Sequence, residues 1–202
     1  LTKKGLNIEL NMLADAFELG VKHVGTNIAF HQILGQGIDY QYDGKTYHFD
    51  KRVIEDYDRT ISALSGKGMT VTAIILNGWN DATPDLIYPG TKKSSNAFYY
   101  LFNAATEAGF EQTKAIASFL AERYDGSNPD QGKISNWIIG NEINNQQWNY
   151  TGAWDLNSYV QAYQDAFRVF YTAIKSVSAN DRVYFSLDYN WNNEIDNKLK
   201  YG

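Results

Sequence analysis

Residues 69–76 read MTVTAIIL and residues 134–140 read ISNWIIG. Both runs are short and rich in β-branched side chains, and the first is an almost continuous apolar strand. A strand that is apolar on both faces belongs to a parallel sheet covered by helices. The flanking sequence agrees. Before the first run, a helix is predicted over Lys51–Ser65, with Asp50 as its cap and Val53, Ile54, Tyr57, Ile61 and Leu64 as its buried stripe. Between the two runs, a helix over Glu111–Tyr124 carries Ala115, Ile116, Phe119 and Leu120 inward.

Further out, the spacing of Leu10, Leu13, Ala14 and Phe17 predicts a helix over Asn7–Leu19, and a strand follows over Val21–Ile28. Asp43-Gly44, set between alternating Ile38, Tyr40, Tyr42 and Thr46, Tyr47, Phe49, is a hairpin signal. Past the second run, Asp155 caps a long helix to Ser178, and Arg182–Leu187 reads as another strand. Strict alternation of helix and strand implies a parallel sheet with right-handed crossovers. No glycine-rich phosphate loop stands at a strand-to-helix turn, which disfavours a nucleotide-binding doubly wound fold. Polar and aromatic residues gather instead after the strands, where an α/β barrel builds its site. The expected fold is therefore α/β, of TIM-barrel-type repeats. It forms an incomplete barrel of about four strands and four to five helices. One domain covers residues 1–202, with a hairpin insertion at about 38–49.

Composition narrows the function. The net charge of −5 argues against a nucleic-acid partner. Cysteine is absent, which removes disulfides, thiolate catalysis and Cys-based zinc sites. No apolar run reaches the ~18 residues of a membrane span. No His-x-x-x-His pair or carboxylate ladder suggests a metal, and no cofactor is implied. Aromatics make up 15% of the chain, with 15 Tyr and 5 Trp. Such rings fill cores, and with Asn and Gln they also stack on and bond sugars.

Glu142 is the sharpest single candidate. It follows an apolar strand directly, beside Asn141, with Trp137 and Gly140 just before. At a barrel mouth, partial desolvation favours the protonated carboxyl, which suits a general acid. Asn27 and His31 follow one strand, and Trp79 and Asn80 follow the next. Trp148, Tyr150 and Trp191 are candidate stacking platforms, and Asp188 is a further carboxylate at a strand end. His23 alternates into the strand body and reads as a core or interhelix residue rather than a catalytic base, and His48 sits in the hairpin with no evident partner.

The run NWIIGNEIN, Asn136–Asn144, resembles the fourth-strand motif of the large clan of retaining glycosidases built on (β/α)8 barrels. LADAFELGVKHVGTNI (Leu13–Ile28) and FLAERYDG (Phe119–Gly126) are similar to the surrounding elements of such barrels. With the Tyr-rich hairpin and VTAIILNGW, the pattern most resembles a bacterial family of glycosidase-like barrels. The resemblance implies that Glu142 is the acid/base, that Asn141 contacts the substrate 2-hydroxyl, and that carbohydrate is the partner. It also implies an extracellular or cell-surface location in a bacterium. It aligns the chain from helix one to strand five, so strand one and strands six to eight are expected to be missing. The clan's nucleophile, a Glu on strand seven, then has no counterpart, and the expectation is a fragment that hydrolyses little or nothing alone. A glycan-binding relic without catalysis is the alternative. An open barrel exposes two sheet edges, which invites self-association.

Overall fold

In the computed structural model, which describes residues 4–152, 154–189 and 191, five strands run parallel in one sheet. They are β1 (Gly5–Asn7), β2 (His23–Ala29), β5 (Thr70–Leu76), β6 (Asn136–Ile139) and β7 (Arg182–Tyr184), in that spatial order. The helices between them are α1 (Leu13–Glu18), α2 (Lys51–Gly66), α3 (Glu107–Arg123) and α4 (Leu156–Val177). The antiparallel hairpin β3 (Gly37–Tyr42) and β4 (Lys45–Asp50) is a separate two-stranded sheet. This is the expected partial TIM-barrel-like fold. No described helix is long and apolar enough to cross a membrane.

Register sorts the side chains into two faces. Val24, Thr26 and Ile28 stand opposite Val71, Ala73 and Ile75, and the last two stand opposite Trp137 and Ile139. All of these are buried beneath the helices, in one core with Ile54, Ile61 and Leu64 of α2, Ile116 and Leu120 of α3, and Phe170 and Ile174 of α4. The other face is wetter. Asn7, Gly25, Thr72, Asn136 and Arg182 form one tier across it, and the Asn136 amide donates to Thr72 Oγ1 at 3.2 Å. The next tier is Asn27, Ile74, Ile138 and Tyr184.

Local chemistry explains most boundaries. Asp43 and Gly44 both take positive φ, 51° and 76°, as a two-residue hairpin turn requires. The Asp50 and Asp155 carboxylates accept the N–H groups of Val53 and Ser158, each at 3.0 Å, and so cap α2 and α4.

Three expectations need correction. The predicted helix over Asn7–Leu19 is a strand, a 3₁₀ turn at Leu10–Met12 and the short α1. Strand one is therefore present, and the parallel strands among the described residues number five. Pairing with β2, extended by Ile8 N–H donating to Gly25 C=O at 2.8 Å, outweighs a weak helical preference. Helix α3 starts four residues earlier than expected, because Thr106 caps it through Gly109 N–H at 3.1 Å. The last strand stops at Tyr184, and Phe185 and Leu187 beyond it are exposed. Two histidines also differ from expectation. His23 is exposed, and His48 Nδ1 lies 2.8 Å from Asp39 Oδ1.

Candidate active site

The turn after β6 carries Asn141 and Glu142. Gly140 still follows the sheet, donating its N–H to Ile75 C=O at 3.0 Å. Glu142 then adopts φ of 44°, the left-handed region, which costs a non-glycine residue on the order of 1–2 kcal/mol. Hydrogen bonds hold it there. Its N–H donates to Ser186 Oγ at 2.9 Å, Ile143 N–H donates to Ser186 C=O at 3.0 Å, and its own carbonyl accepts from Asn145 N–H at 2.7 Å. Ser186 Oγ also donates to Asn141 Oδ1 at 3.4 Å. The segment after β7 thus clamps the Asn-Glu turn. Glu142 is half-buried, and among the described residues its carboxylate makes no hydrogen bond or ion pair.

At the same end of the sheet, past the C-terminal ends of β2 and β5, lies a cleft of about 460 Å³, which neither Asn141 nor Glu142 lines. Asn27, His31 and Trp79 line it, with Tyr57, Lys93 and Tyr99. His31 lies in a 3₁₀ turn, Phe30–Gln32, just past the end of β2, and Gly78 lies two residues past the end of β5. His31 is held by backbone: Gly78 N–H donates to its Nδ1 at 2.7 Å, so the neutral ring carries its proton on Nε2. A side chain on Gly78 would meet that ring at 2.6 Å, so glycine is what lets the imidazole lie against the strand end.

Burial holds the His31 imidazole below its ordinary value of 6.5, against the Leu76 carbonyl, which pulls it upward. The folded chain therefore keeps His31 neutral where the unfolded chain would protonate it. Its contribution is fully present above pH 6.5 and is lost as pH falls from there through the lower folded value. Melting curves from about pH 8 to about pH 5 should fall more steeply for the parent protein than for His31→Asn. Equal slopes would contradict this environment.

The remaining predicted residues divide. The Asn80 amide donates to His31 C=O at 2.8 Å and its Oδ1 accepts Ala82 N–H at 2.9 Å, so it braces the cleft without lining it. Trp148 packs on Phe98 and Tyr99, ring centroids 5.0 and 6.0 Å away, and Tyr150 packs edge-on to Tyr100 at 5.7 Å. These contacts join the loops after β5 and β6, helped by Phe98 N–H donating to Gln147 C=O at 2.8 Å and Tyr150 N–H donating to Tyr99 C=O at 2.9 Å. Asp188 is buried. It accepts the Asn144 amide at 3.0 Å, and its own N–H donates to Asn144 Oδ1 at 2.8 Å. Trp191 is exposed at the same corner, its N–H bonded to Asp188 C=O at 3.2 Å. Residues not anticipated are Ser186, which clamps the turn, and the fully buried Gln146. The Gln146 Oε1 accepts Thr151 N–H and Gly152 N–H at 3.1 and 2.9 Å and shapes the following loop. Among the described residues no three His, Asp or Glu side chains cluster as a metal site needs.

A parallel half-barrel with this cleft at its C-terminal end is a partial TIM-barrel-like fold, similar to that of solved glycoside hydrolases. It superposes on an endo-β-1,4-mannanase from Thermotoga petrophila with a TM-score of 0.57 and 16% identity, over 96% of this chain and 44% of that one. Cel5A of Thermotoga maritima, solved with mannotriose, gives 0.51 and 14%, over 96% and 49%. The virulence factor SghA from Agrobacterium tumefaciens gives 0.55 and 15%, over 88% and 36%. The chain thus spans less than half the length of these neighbours. It belongs to the DUF5722 family, described as a family of unknown function, which it matches over residues 1–202. No curated protein sequence matches it.

Proposed function

We propose that this chain is part of the catalytic barrel of a retaining glycoside hydrolase, with Glu142 as acid/base. The carrying observation is the Glu142 carboxylate on a clamped turn after β6, without a hydrogen bond or ion pair among the described residues, at the same end of the sheet as a cleft of hydrogen-bonding and aromatic groups. Glu142 protonates the glycosidic oxygen as the bond to the anomeric carbon breaks. A second carboxylate forms the glycosyl ester. Glu142 then takes a proton from the water that attacks the anomeric carbon. Asn141 bonds the 2-hydroxyl as oxocarbenium character develops, and Asn27, His31 and Trp79 hold the ring. The two carboxylates need about 5–5.5 Å between them. Asp188 is committed to Asn144, so the nucleophile is assigned to barrel strands beyond those described, in line with the greater length of the neighbours.

The test is the full-length protein on β-linked glucans and mannans, with reducing-end release as the readout and the anomer of the first product read by NMR. Retention supports the mechanism. Inversion, or no turnover on any glycan, overturns it. Residues 1–202 alone are expected to be inactive on the same substrates. One observation favours sugar binding without hydrolysis: Asp188, in the segment after β7, is buried and held. Glycan affinity with no turnover in the full-length protein would select that alternative.

A further inference from the structure

The cleft does not stand alone. Trp79 lines it and also lines a second cavity of about 190 Å³, formed with Pro84, Tyr88 and Thr91 in the loop after β5. Tyr88 in turn lines a third, open groove of about 580 Å³, formed with Trp154 and Gln161 at the start of α4. Each neighbouring pair of cavities therefore shares one aromatic ring, and the series runs from the barrel mouth to the α4 end.

The shared rings are fixed in place. Trp79 donates its indole N–H to Asp81 Oδ1 at 2.6 Å and stands edge-on to Tyr100 at 5.2 Å. Tyr88 and Trp154 meet edge-to-face, centroids 4.8 Å apart and planes at 81°. Tyr88 is anchored by its N–H to Leu101 C=O at 3.1 Å. All three rings are half-buried, so each keeps part of its surface to water. In the middle cavity the buried Thr91 Oγ1 has no hydrogen-bond partner among the described residues, although such groups are nearly always satisfied.

We propose that Trp79, Tyr88 and Trp154 are successive platforms for one linear polysaccharide. The chain leaves the mouth over Trp79, passes Thr91 and lies against Tyr88 and Trp154. Deepening the glycosidase assignment on which it rests, this makes the substrate a polymer rather than a disaccharide or an aryl glycoside. Apolar faces of pyranose rings match flat amphipathic side chains, and pre-set rings lose little entropy on binding. The spaced hydroxyls meet the Gln161 amide in the open groove.

The experiment uses full-length Glu142→Gln, so that ligands persist. Native gels cast with mannan, glucan, xylan, galactan or polyuronate identify the backbone that retards the protein. Titration calorimetry then compares the di- and hexasaccharide of that backbone. The expected affinity ratio is about tenfold or more in favour of the hexasaccharide, which corresponds to roughly 1.4 kcal/mol. It should collapse to about twofold, or roughly 0.4 kcal/mol, when Tyr88→Ala or Trp154→Ala is added. Tyr88→Phe, which keeps the ring, should preserve it. Retardation with a ratio near one, or a ratio untouched by both alanines, overturns the track and leaves the catalytic assignment standing. Retardation by none of the five polysaccharides overturns both.

Discussion

Glu142→Gln in the full-length protein is expected to lower turnover by about 10³-fold on substrates with poor leaving groups, the range of a lost general acid–base group. The loss should be smaller on an aryl glycoside whose leaving group departs without a proton. There the second step becomes limiting, and added azide, a nucleophile that needs no deprotonation, should restore rate. A loss below tenfold on the poor leaving group would contradict the assignment. The left-handed backbone at this residue allows a companion measurement. Glu142→Gly removes the strain of φ 44°, so it should melt at or above the parent while being inactive. Glu142→Ala, which keeps a Cβ at that φ, should not gain. If Glu142→Gly melts lower than Glu142→Ala, strain is not held at this turn.

Trp137→Ala carries the largest expected stability effect. Trp137 is the largest fully buried side chain among the described residues, five residues before Glu142 and on the helix-covered face of β6. Removing its ring leaves a cavity, which typically costs about 3–5 kcal/mol. It also strips the buried Asp181 of the indole N–H that it accepts at 3.2 Å. For a unit of this size that is a fall in melting temperature of roughly 10 °C. Trp137→Phe, which keeps most of the volume, should recover most of it. A shift of under about 3 °C for Trp137→Ala would mean the site collapses to fill the void.

The parts legible in the sequence are those whose chemistry is local. Asp43-Gly44, Asp50 and Asp155 act on backbone within three residues, and the residues predicted to turn or cap do so. The apolar runs at 69–76 and 134–140 hold core strands because burial on their covered face needs only composition. Gly5–Asn7 was hidden because three residues carry no period, and its bonds come from a partner 18 residues on, Gly5 opposite His23. The same holds at the site. Asn27, His31 and Trp79 converge as strand ends should. The zipper of 98–101 with 147–150, the Ser186 clamp and the left-handed turn at Glu142 depend on contacts distant in sequence.

The order β1-β2-β5-β6-β7 bears on how the molecule is made. Apart from the hairpin, which pairs with itself, each strand of the main sheet bonds to the barrel strand synthesised just before it. No earlier pairing waits for a later residue. At ribosomal speeds of roughly 5–20 residues per second, a nascent chain has seconds to dock each βα unit on the edge left by its predecessor. The growing sheet thus gains its strands one at a time, always at the edge opposite β1. A ribosome-bound chain arrested after α3 should already hold β1, β2 and β5 in native register, and assembly proceeds like a wall laid in courses, in the direction of translation.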